Sequence, residues 1–165
     1  MAQPQVGYFC ARPGSLEGGS EFAELCSDFL EGNDEFCKGR FKLIPRVVEG
    51  SWVVKKGVGS TPAILGKKLD QRYYQGTNYF ELDIDVGSSS VAGSILGLVK
   101  GYAKALVIDL AFLLEGQTEG ELPERLIGAI QLTNVDMSLC PVCSMLPAGA
   151  PSNTLASVSE KSKTE

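Results

Sequence analysis

The sequence predicts an α+β fold in which a largely antiparallel, curved sheet packs on one long apolar C-terminal helix, with a short amphipathic helix near the N-terminus. The chain has 165 residues, of which 44% are hydrophobic and 21% charged, the balance of a single globular domain. Between residues 41 and 86 the apolar side chains follow the period of strands, and short turns separate the runs. A nearly continuous apolar stretch then covers residues 91–115.

The N-terminal part contains one short apolar run and one amphipathic segment. Val6–Cys10 is predicted to be a strand, and a loop rich in glycine and proline follows it. Ser20 is a suitable N-cap for a helix that ends at Gly32. One stripe of this helix is apolar and is expected to face the core; it consists of Phe22, Leu25, Cys26, Phe29 and Leu30.

Four runs in the middle of the chain are predicted to be strands joined by short turns, which favours antiparallel pairing. They are Phe41–Val48, Ser51–Lys56, Ala63–Tyr74 and Tyr79–Val86. Pro45 lacks an amide hydrogen and so places the first strand at a sheet edge or at a bulge. The acidic face of the last strand is expected to be solvated, or paired with lysines of neighbouring strands.

The apolar segment Val91–Glu115 is predicted to be one helix, followed by a C-cap at Gly116 and a final strand over Leu126–Thr133. Three ionised side chains within about 24 residues argue against a membrane span, since each would cost about 2.5–3.5 kcal/mol near the bilayer centre. Structural roles are assigned to five residues. Gly93, Gly97 and Gly101 are expected to form a ridge without side chains that packs against a sheet face. The carboxylate of Asp109 is expected to have a bonding partner, and Trp52 is expected to have a structural role.

Charge and composition exclude several classes of function. The net charge is −5, although residues 41–72 carry seven Lys or Arg and only two Asp or Glu. Binding to duplex nucleic acid needs a broader basic surface, so no nucleic-acid partner is predicted. The chain has no histidine, which removes most catalytic triads and imidazole metal sites. No catalytic centre, cofactor or metal is therefore predicted.

The five cysteines are widely spaced, which favours reduced thiols and a cytoplasmic location. Cys140 and Cys143 have the spacing of half a zinc site or of a redox turn. Without histidine, however, the remaining zinc ligands would be distant cysteines or carboxylates. The pair also lies in residues 137–165, a polar segment without periodicity that is predicted to be a disordered tail. We therefore interpret it as inert.

A lipid or anion site is predicted where the turn before the long helix meets the basic part of the chain. Ser88, Ser89 and Ser90 offer hydroxyl groups beside the free amides of a helix start, which is a setting for an anion. The same serines can instead cap the helix, and capping is the favoured interpretation. A phosphate headgroup bound there would be neutralised by lysines of the basic block; the candidates are Lys55, Lys56 and Lys67.

Four segments of the chain closely resemble the C-terminal domain of the Enhanced Disease Resistance 2 family, which is best known from plants. They are Arg40–Val48 (RFKLIPRVV), Glu49–Lys56 (EGSWVVKK), Tyr79–Ala92 (YFELDIDVGSSSVA) and Ile108–Leu126 (IDLAFLLEGQTEGELPERL). The likeness extends from about Tyr8 to Asp136. It implies no catalytic residues. It also implies a lipid-associated context, since longer members carry this domain after a pleckstrin-homology module and a lipid-transfer module.

The resemblance also implies further strands ahead of the Tyr8 region, so the chain is expected to be shortened at its N-terminus. A strand edge or one wall of the core would then be uncovered, which predicts poor solubility or a missing partner.

We therefore expect residues 1–136 to form a non-enzymatic domain that binds a lipid or phosphoinositide headgroup at membranes, peripheral to endomembranes in the cytoplasm. A helix-grip cavity, similar to lipid-transfer domains of the steroidogenic acute regulatory type, is one form that such binding takes. The alternative is a protein-interaction or regulatory domain without a ligand cavity. A pocket of roughly 300–1,000 Å³ between sheet and helix favours the first, and side chains filling that space favour the second.

Overall fold

Six strands form two antiparallel sheets within the part of the chain that the structure describes. The structure is a computed structural model, which describes residues 6–12, 14, 16 and 19–139. The strands are β1 (Phe41–Glu49), β2 (Ala63–Ile64), β3 (Asp70–Gln75), β4 (Phe80–Asp85), β5 (Val107–Leu114) and β6 (Leu126–Thr133). The main sheet has the order β2-β1-β5-β6, and β3 and β4 form a separate hairpin.

Four α-helices lie among these strands in the described residues, and each begins after a side chain that caps it. They are α1 (Glu21–Glu31), α2 (Asp34–Lys38), α3 (Trp52–Val58) and α4 (Ser90–Tyr102). The caps are Ser20, Asn33, Ser51 and Ser89, whose side chains each accept a hydrogen bond from an amide of the first turn. Short 3₁₀ turns cover Leu65–Lys67, Val86–Ser88, Ala103–Ala105, Glu119–Glu121 and Met137–Leu139.

One face of the main sheet carries two apolar clusters. The first joins α1 and α2 to the sheet through Phe29, Cys37 and Leu114, and side chains of the hairpin pack against it. The second joins α3 to the sheet through the buried Val54 and Ile108, with side chains of α4 packed around them. Burial of these side chains is the main stabilising term that holds the helices on the sheet.

Several predicted elements are confirmed. Helix α1 begins after Ser20, and its apolar stripe is buried at Leu25, Cys26 and Phe29 and half-buried at its two ends. Strand β6 spans Leu126–Thr133 as predicted. Strand β1 also matches, and Pro45 lies where β1 extends beyond the two residues paired with β2. A bulge interrupts the pairing of β1 with β5 between Val47 and Glu49. The predicted strand Tyr79–Val86 is β4, with alternating exposure, but it pairs only within the hairpin.

The prediction of one long helix over Val91–Glu115 is wrong. Helix α4 ends at Tyr102, and the apolar residues from Val107 onward form β5, the strand between β1 and β6. A central strand is paired at both edges and has much of its surface buried, so its sequence is a continuous apolar run. Periodicity alone does not distinguish such a run from a buried helix. A helix-grip arrangement around this segment is therefore not confirmed.

The predicted glycine ridge does not pack on a sheet. A methyl group placed at Gly93, Gly97 or Gly101 would meet no atom of the described residues within 4 Å, apart from α4's own backbone and chain neighbours. The continuation of the ridge is lost too, because Asp109 lies on β5 rather than on a helix. The glycines therefore lie on the open side of α4.

Three predicted strands also need correction. The segment Ser51–Lys56 is a helix, α3, because Ser51 caps it and Val54 turns into the core. Ala63–Tyr74 is divided between β2, a 3₁₀ turn and β3. Val6–Cys10 forms no strand; instead the Phe9 ring packs on Phe112, with 5.7 Å between ring centroids.

Within the described residues, no helix combines the length and the apolar character needed to cross a membrane.

Candidate functional site

The three serines of the predicted anion site serve mainly to connect elements of the fold. Ser88 accepts a hydrogen bond from the Asp70 amide at 2.9 Å and donates one to the Asp85 carbonyl at 2.6 Å, which closes the base of the β3–β4 hairpin. Ser89 caps α4, and the carbonyl of Ser90 accepts a hydrogen bond from the Ser94 hydroxyl. The favoured capping interpretation is confirmed for Ser89, and whether an anion binds at this turn stays a prediction.

The three predicted lysines lie on two different elements. Lys55 and Lys56 are exposed on α3, whereas Lys67 is exposed on the 3₁₀ turn after β2. Among the described residues, no hydrogen bond or ion pair joins any of these lysines to the serine turn. The charges of Lys55 and Lys56 are likewise unpaired there, so both ammonium groups are available to an external anion.

The exposed side of α3 carries an aromatic side chain followed, one helical turn later, by two cations. Trp52 is 72% exposed and Val53 37% exposed. With 3.6 residues per turn, Lys55 and Lys56 follow Trp52 by three and four positions and so share its face. We call Trp52, Val53, Lys55 and Lys56 the α3 surface. Trp52, for which a structural role is predicted, therefore lies outside the buried core.

The opposite side of α3 is anchored firmly. Val54 is fully buried, at 0% exposure, against Ile108 of β5 and against Leu106, which directly precedes that strand. Gly57 approaches α4 so closely that a Cβ placed there would lie 2.6 Å from Leu98 Cδ2. A short helix held in this way presents Trp52 on a rigid support, since moving it would disrupt the second apolar cluster.

A second surface feature is an open depression of about 440 Å³ on the other face of the main sheet. Its lining includes Ile44, Arg46, Asp109, Ala111 and Gln131. Gln131 Nε2 donates a 2.7 Å hydrogen bond to Asp109 Oδ1, and Arg46 lies opposite Asp109 in the β1–β5 register. Asp109 thus has a hydrogen-bonding partner, which comes from β6 rather than from the predicted basic strands.

The start of β1 carries a cluster of ion pairs that the sequence did not predict. Arg40 lies 2.5 Å from Glu121, and Lys42 pairs with Glu115 and with Glu124. Hydrogen bonds from Arg40 and from the Gln117 amide lower the pKa of Glu121 from 4.5 to about 2. Burial alone would lower the pKa of Lys42, but its hydrogen bonds to both glutamates raise the pKa above the ordinary value. The two glutamates therefore favour the protonated form of Lys42.

The acidic face of the hairpin does not pair with lysines as one interpretation proposed. Asp83 lies opposite Arg72 in the register, and Asp85 lies opposite Asp70. All four side chains are exposed, and no ion pair joins them in the described part of the chain. The alternative interpretation, a solvated acidic face, is confirmed.

The described residues include no group of three or more Cys, Asp or Glu that could hold a metal ion. Cys26 and Cys37 are buried, and desolvation raises the pKa of both thiols. Raised thiol pKa values make these cysteines poor nucleophiles. Cys140 and Cys143 lie outside the described residues.

The sequence could have indicated the α3 surface through one local signal. Ser51 followed by Val54 has the spacing of an N-cap and its amide donor, and Trp52, Lys55 and Lys56 have the spacing of one helix face. The β-propensity of the Trp-Val-Val run conceals this signal.

Comparison with known proteins places these features in a family context. The family model described as "Protein ENHANCED DISEASE RESISTANCE 2, C-terminal" matches residues 3–136, which include the α3 surface. A protein of Arabidopsis thaliana named "Protein ENHANCED DISEASE RESISTANCE 2-like" is 52% identical over 114 residues. That alignment covers 69% of this chain but only 16% of the relative. No solved structure matches the chain.

Proposed function

The chain belongs to the family of the C-terminal domain of the protein ENHANCED DISEASE RESISTANCE 2, a plant defence-related family, and on this premise we propose that it is a non-enzymatic domain that binds anionic membrane surfaces. The α3 surface is the proposed contact. The proposed location is the cytoplasm, peripheral on endomembranes, because the cytoplasmic leaflet carries the anionic lipids.

The single observation that carries this proposal is the exposure of Trp52 one helical turn before two lysines that have no ion-pair partner among the described residues. An indole has a large apolar body and one polar N–H group, and tryptophan is enriched where a membrane meets water. Each lysine near an anionic leaflet contributes about 1 kcal/mol of attraction. Lys55 and Lys56 together would supply about 2 kcal/mol, and burial of Trp52 in the headgroup region would add to this.

Surface binding suits the packing better than enclosure of a lipid. The space between the main sheet and helices α3 and α4 holds the side chains of Val54, Leu106 and Ile108, which are buried, and Leu98 packs against them. The open depression of about 440 Å³ lies on the other face of the sheet. We therefore place the proposed lipid contact on the outside of α3 rather than in a cavity between sheet and helix.

Vesicle sedimentation tests the proposal. The chain should sediment with vesicles that contain phosphatidylserine or a phosphoinositide and stay in solution with phosphatidylcholine vesicles. The double substitution Lys55→Glu and Lys56→Glu should weaken binding about tenfold or more. The matched control is Lys67→Glu with Lys68→Glu, which makes the same charge change at exposed lysines away from α3.

Two outcomes would contradict the proposal. One is equal sedimentation with neutral and anionic vesicles, and the other is an equal loss of binding in both double variants. The second outcome would mean that the overall charge of residues 41–72, rather than the α3 surface, governs the attraction.

The second candidate function is a protein-interaction or regulatory domain. The observation that favours it is the filled space between the sheet and helices, together with an open sheet face that bears Arg46 and Asp109. A chain that binds no anionic vesicle, but loses a partner on substitution of Ala111 by Lys in that face, would support this candidate instead.

A further inference from the structure

Phe9 fills a notch in strand β6. The notch exists because Gly128 has no side chain, and a Cβ placed there would overlap the Phe9 ring. Gly128 pairs with Phe112 of β5, and the rings of Phe9 and Phe112 meet edge to face, with 5.7 Å between centroids and 68° between planes. We call the space between Gly128 and Phe112 the Gly128 notch. Its floor is bare backbone and its wall is an aromatic ring.

The notch is built into the backbone of β6. The pairing with β5 is irregular beside it, because Phe112 pairs with Gly128 but Leu113 pairs with Leu126, which leaves Ile127 as a bulge. A glycine beside a bulge is typical of a place where another group approaches a strand closely. No side chain of β6 therefore has to move aside for a ring to enter.

The wall of the notch is supported by the core. Phe112 stacks on Phe41, with 5.7 Å between centroids and 17° between planes, and Phe41 lies 6.2 Å from the buried Phe29. Phe112 is thus the outer member of a row of rings that begins in the first apolar cluster. Because packed side chains deform little, the notch should keep its shape when Phe9 leaves it.

The segment that carries Phe9 is held loosely. Residues 6–12 form no helix or strand, and all of them are exposed. Val6 is 67% exposed and Tyr8 89%, whereas Phe9 is 43% exposed. Within the described part of the chain, no hydrogen bond or ion pair joins residues 6–12 to the sheet. The Phe9 ring is therefore the main attachment of this segment, and its release would leave the core intact.

We infer that the Gly128 notch is a docking site for an aromatic side chain in a peptide segment of a partner protein, and that residues 6–12 occupy it as a releasable strap. The strap is an autoinhibitory contact, since Phe9 keeps the notch filled until a competing aromatic segment displaces it. None of the residues involved lies on α3, so the inference is independent of the proposed membrane contact.

The geometry of the bound Phe9 shows why the partner residue is aromatic. Three of its ring atoms, Cγ, Cδ1 and Cε1, lie around the position of the side chain that Gly128 lacks. The edge-to-face arrangement with Phe112 is a favoured geometry for two rings, and an aliphatic side chain would not reproduce it. Aromatic side chains that enter pockets are also frequent anchors of protein interfaces.

The test is competition between the strap and a copy of it supplied as a separate molecule. The probe is a fluorescein-labelled peptide of residues 6–12 (VGYFCAR), titrated into the whole chain under reducing conditions and followed by fluorescence polarisation. It should bind the Phe9→Ala chain, in which the notch is empty. The wild-type chain should bind it at least several-fold more weakly, because its own tethered Phe9 competes at a high effective concentration. A control peptide with Phe9→Ala should bind neither chain.

A second substitution locates the site on the chain. Gly128→Ala added to Phe9→Ala should abolish binding of the probe, because the new methyl group fills the notch. The matched control is Gly97→Ala added to Phe9→Ala, which places the same group on the open side of α4 and should leave the affinity unchanged.

Three results would overturn the inference. Equal affinity of the probe for the wild-type and Phe9→Ala chains would mean that Phe9 does not close the site. Failure of the probe to bind the Phe9→Ala chain would mean that the notch is not a docking site. Equal binding of the probe and the control peptide would mean that the aromatic ring is not what the chain recognises.

Discussion

Arg40 and Glu121 form an ion pair at 2.5 Å although 81 residues separate them in the chain. The same guanidinium donates a 2.9 Å hydrogen bond to the carbonyl of Glu115, and it lies 4.6 Å from the centroid of the Phe36 ring. Arg40 thus joins the start of β1 to the loop between β5 and β6 and to helix α2. Because Arg40 is 8% exposed, its charge depends on these partners.

Replacing Glu121 with Gln should lower the free energy of unfolding by about 1–3 kcal/mol, since the buried Arg40 would lose its carboxylate partner. Urea denaturation provides the measurement. The control is Glu119→Gln in the same 3₁₀ turn, where the side chain is exposed and the change should stay within about 0.5 kcal/mol. Equal effects of the two substitutions would contradict the proposed role of the ion pair.

The same pair predicts a dependence of stability on pH. The folded-state pKa of Glu121 is about 2, below its ordinary value of 4.5. The stabilisation is therefore fully present above the unfolded-state pKa and is lost as the pH falls from about 5 towards 2. Unfolding measured at a series of pH values should show this loss in the wild-type chain and less of it in Glu121→Gln. If Glu121→Gln loses as much stability at low pH as the wild-type chain, the ion pair of Arg40 and Glu121 is not the cause of that loss.

Gly97 should be replaceable with a gain in stability. It lies inside α4, where alanine favours the helix by about 0.5–1 kcal/mol over glycine. Beyond the helix's own turn, no atom of the described residues would obstruct the added methyl group. The contrasting substitution is Gly66→Ala, because a Cβ there would lie 2.4 Å from the carbonyl oxygen of Lys38. Thermal unfolding should show Gly97→Ala stabilised and Gly66→Ala destabilised. Destabilisation by Gly97→Ala would mean that the glycine ridge is packed after all.

Two adjacent valines test the orientation of α3. Val54 is fully buried and Val53 is 37% exposed, so truncating Val54 to alanine should cost about 2 kcal/mol or more. The same truncation of Val53 should change stability by less than about 0.5 kcal/mol. Denaturation of both variants gives the comparison, and similar costs would argue that the segment is not the helix described above.

Elements with local signals could be predicted from the sequence. Helix α1 has an N-cap at Ser20 and an apolar stripe, and β4 alternates apolar and acidic residues over Phe80–Asp85. Both patterns arise from neighbours a few residues apart, so they are readable without knowledge of the tertiary structure.

Elements that depend on distant partners could not be predicted from the sequence. Strand β5 contains the run VIDLAFLL, and only its pairing with β1 and β6 decides that it is a strand. The reverse holds for α3, where Val53 and Val54 favour a strand by propensity, but capping by Ser51 and burial of Val54 favour a helix. The lysines of α3 could be predicted as part of the site from their charge alone. The exposure of Trp52 could not, because it depends on α3 being a helix.

The membrane proposal is tested most directly by the fluorescence of Trp52, which is the only tryptophan in the chain. In solution its emission should be that of an indole in contact with water, since the side chain is 72% exposed. Addition of anionic vesicles should shift the emission to shorter wavelength, and neutral vesicles or the Lys55→Glu, Lys56→Glu variant should not produce this shift. An emission spectrum that stays unchanged at saturating anionic vesicle concentrations would contradict the proposed contact.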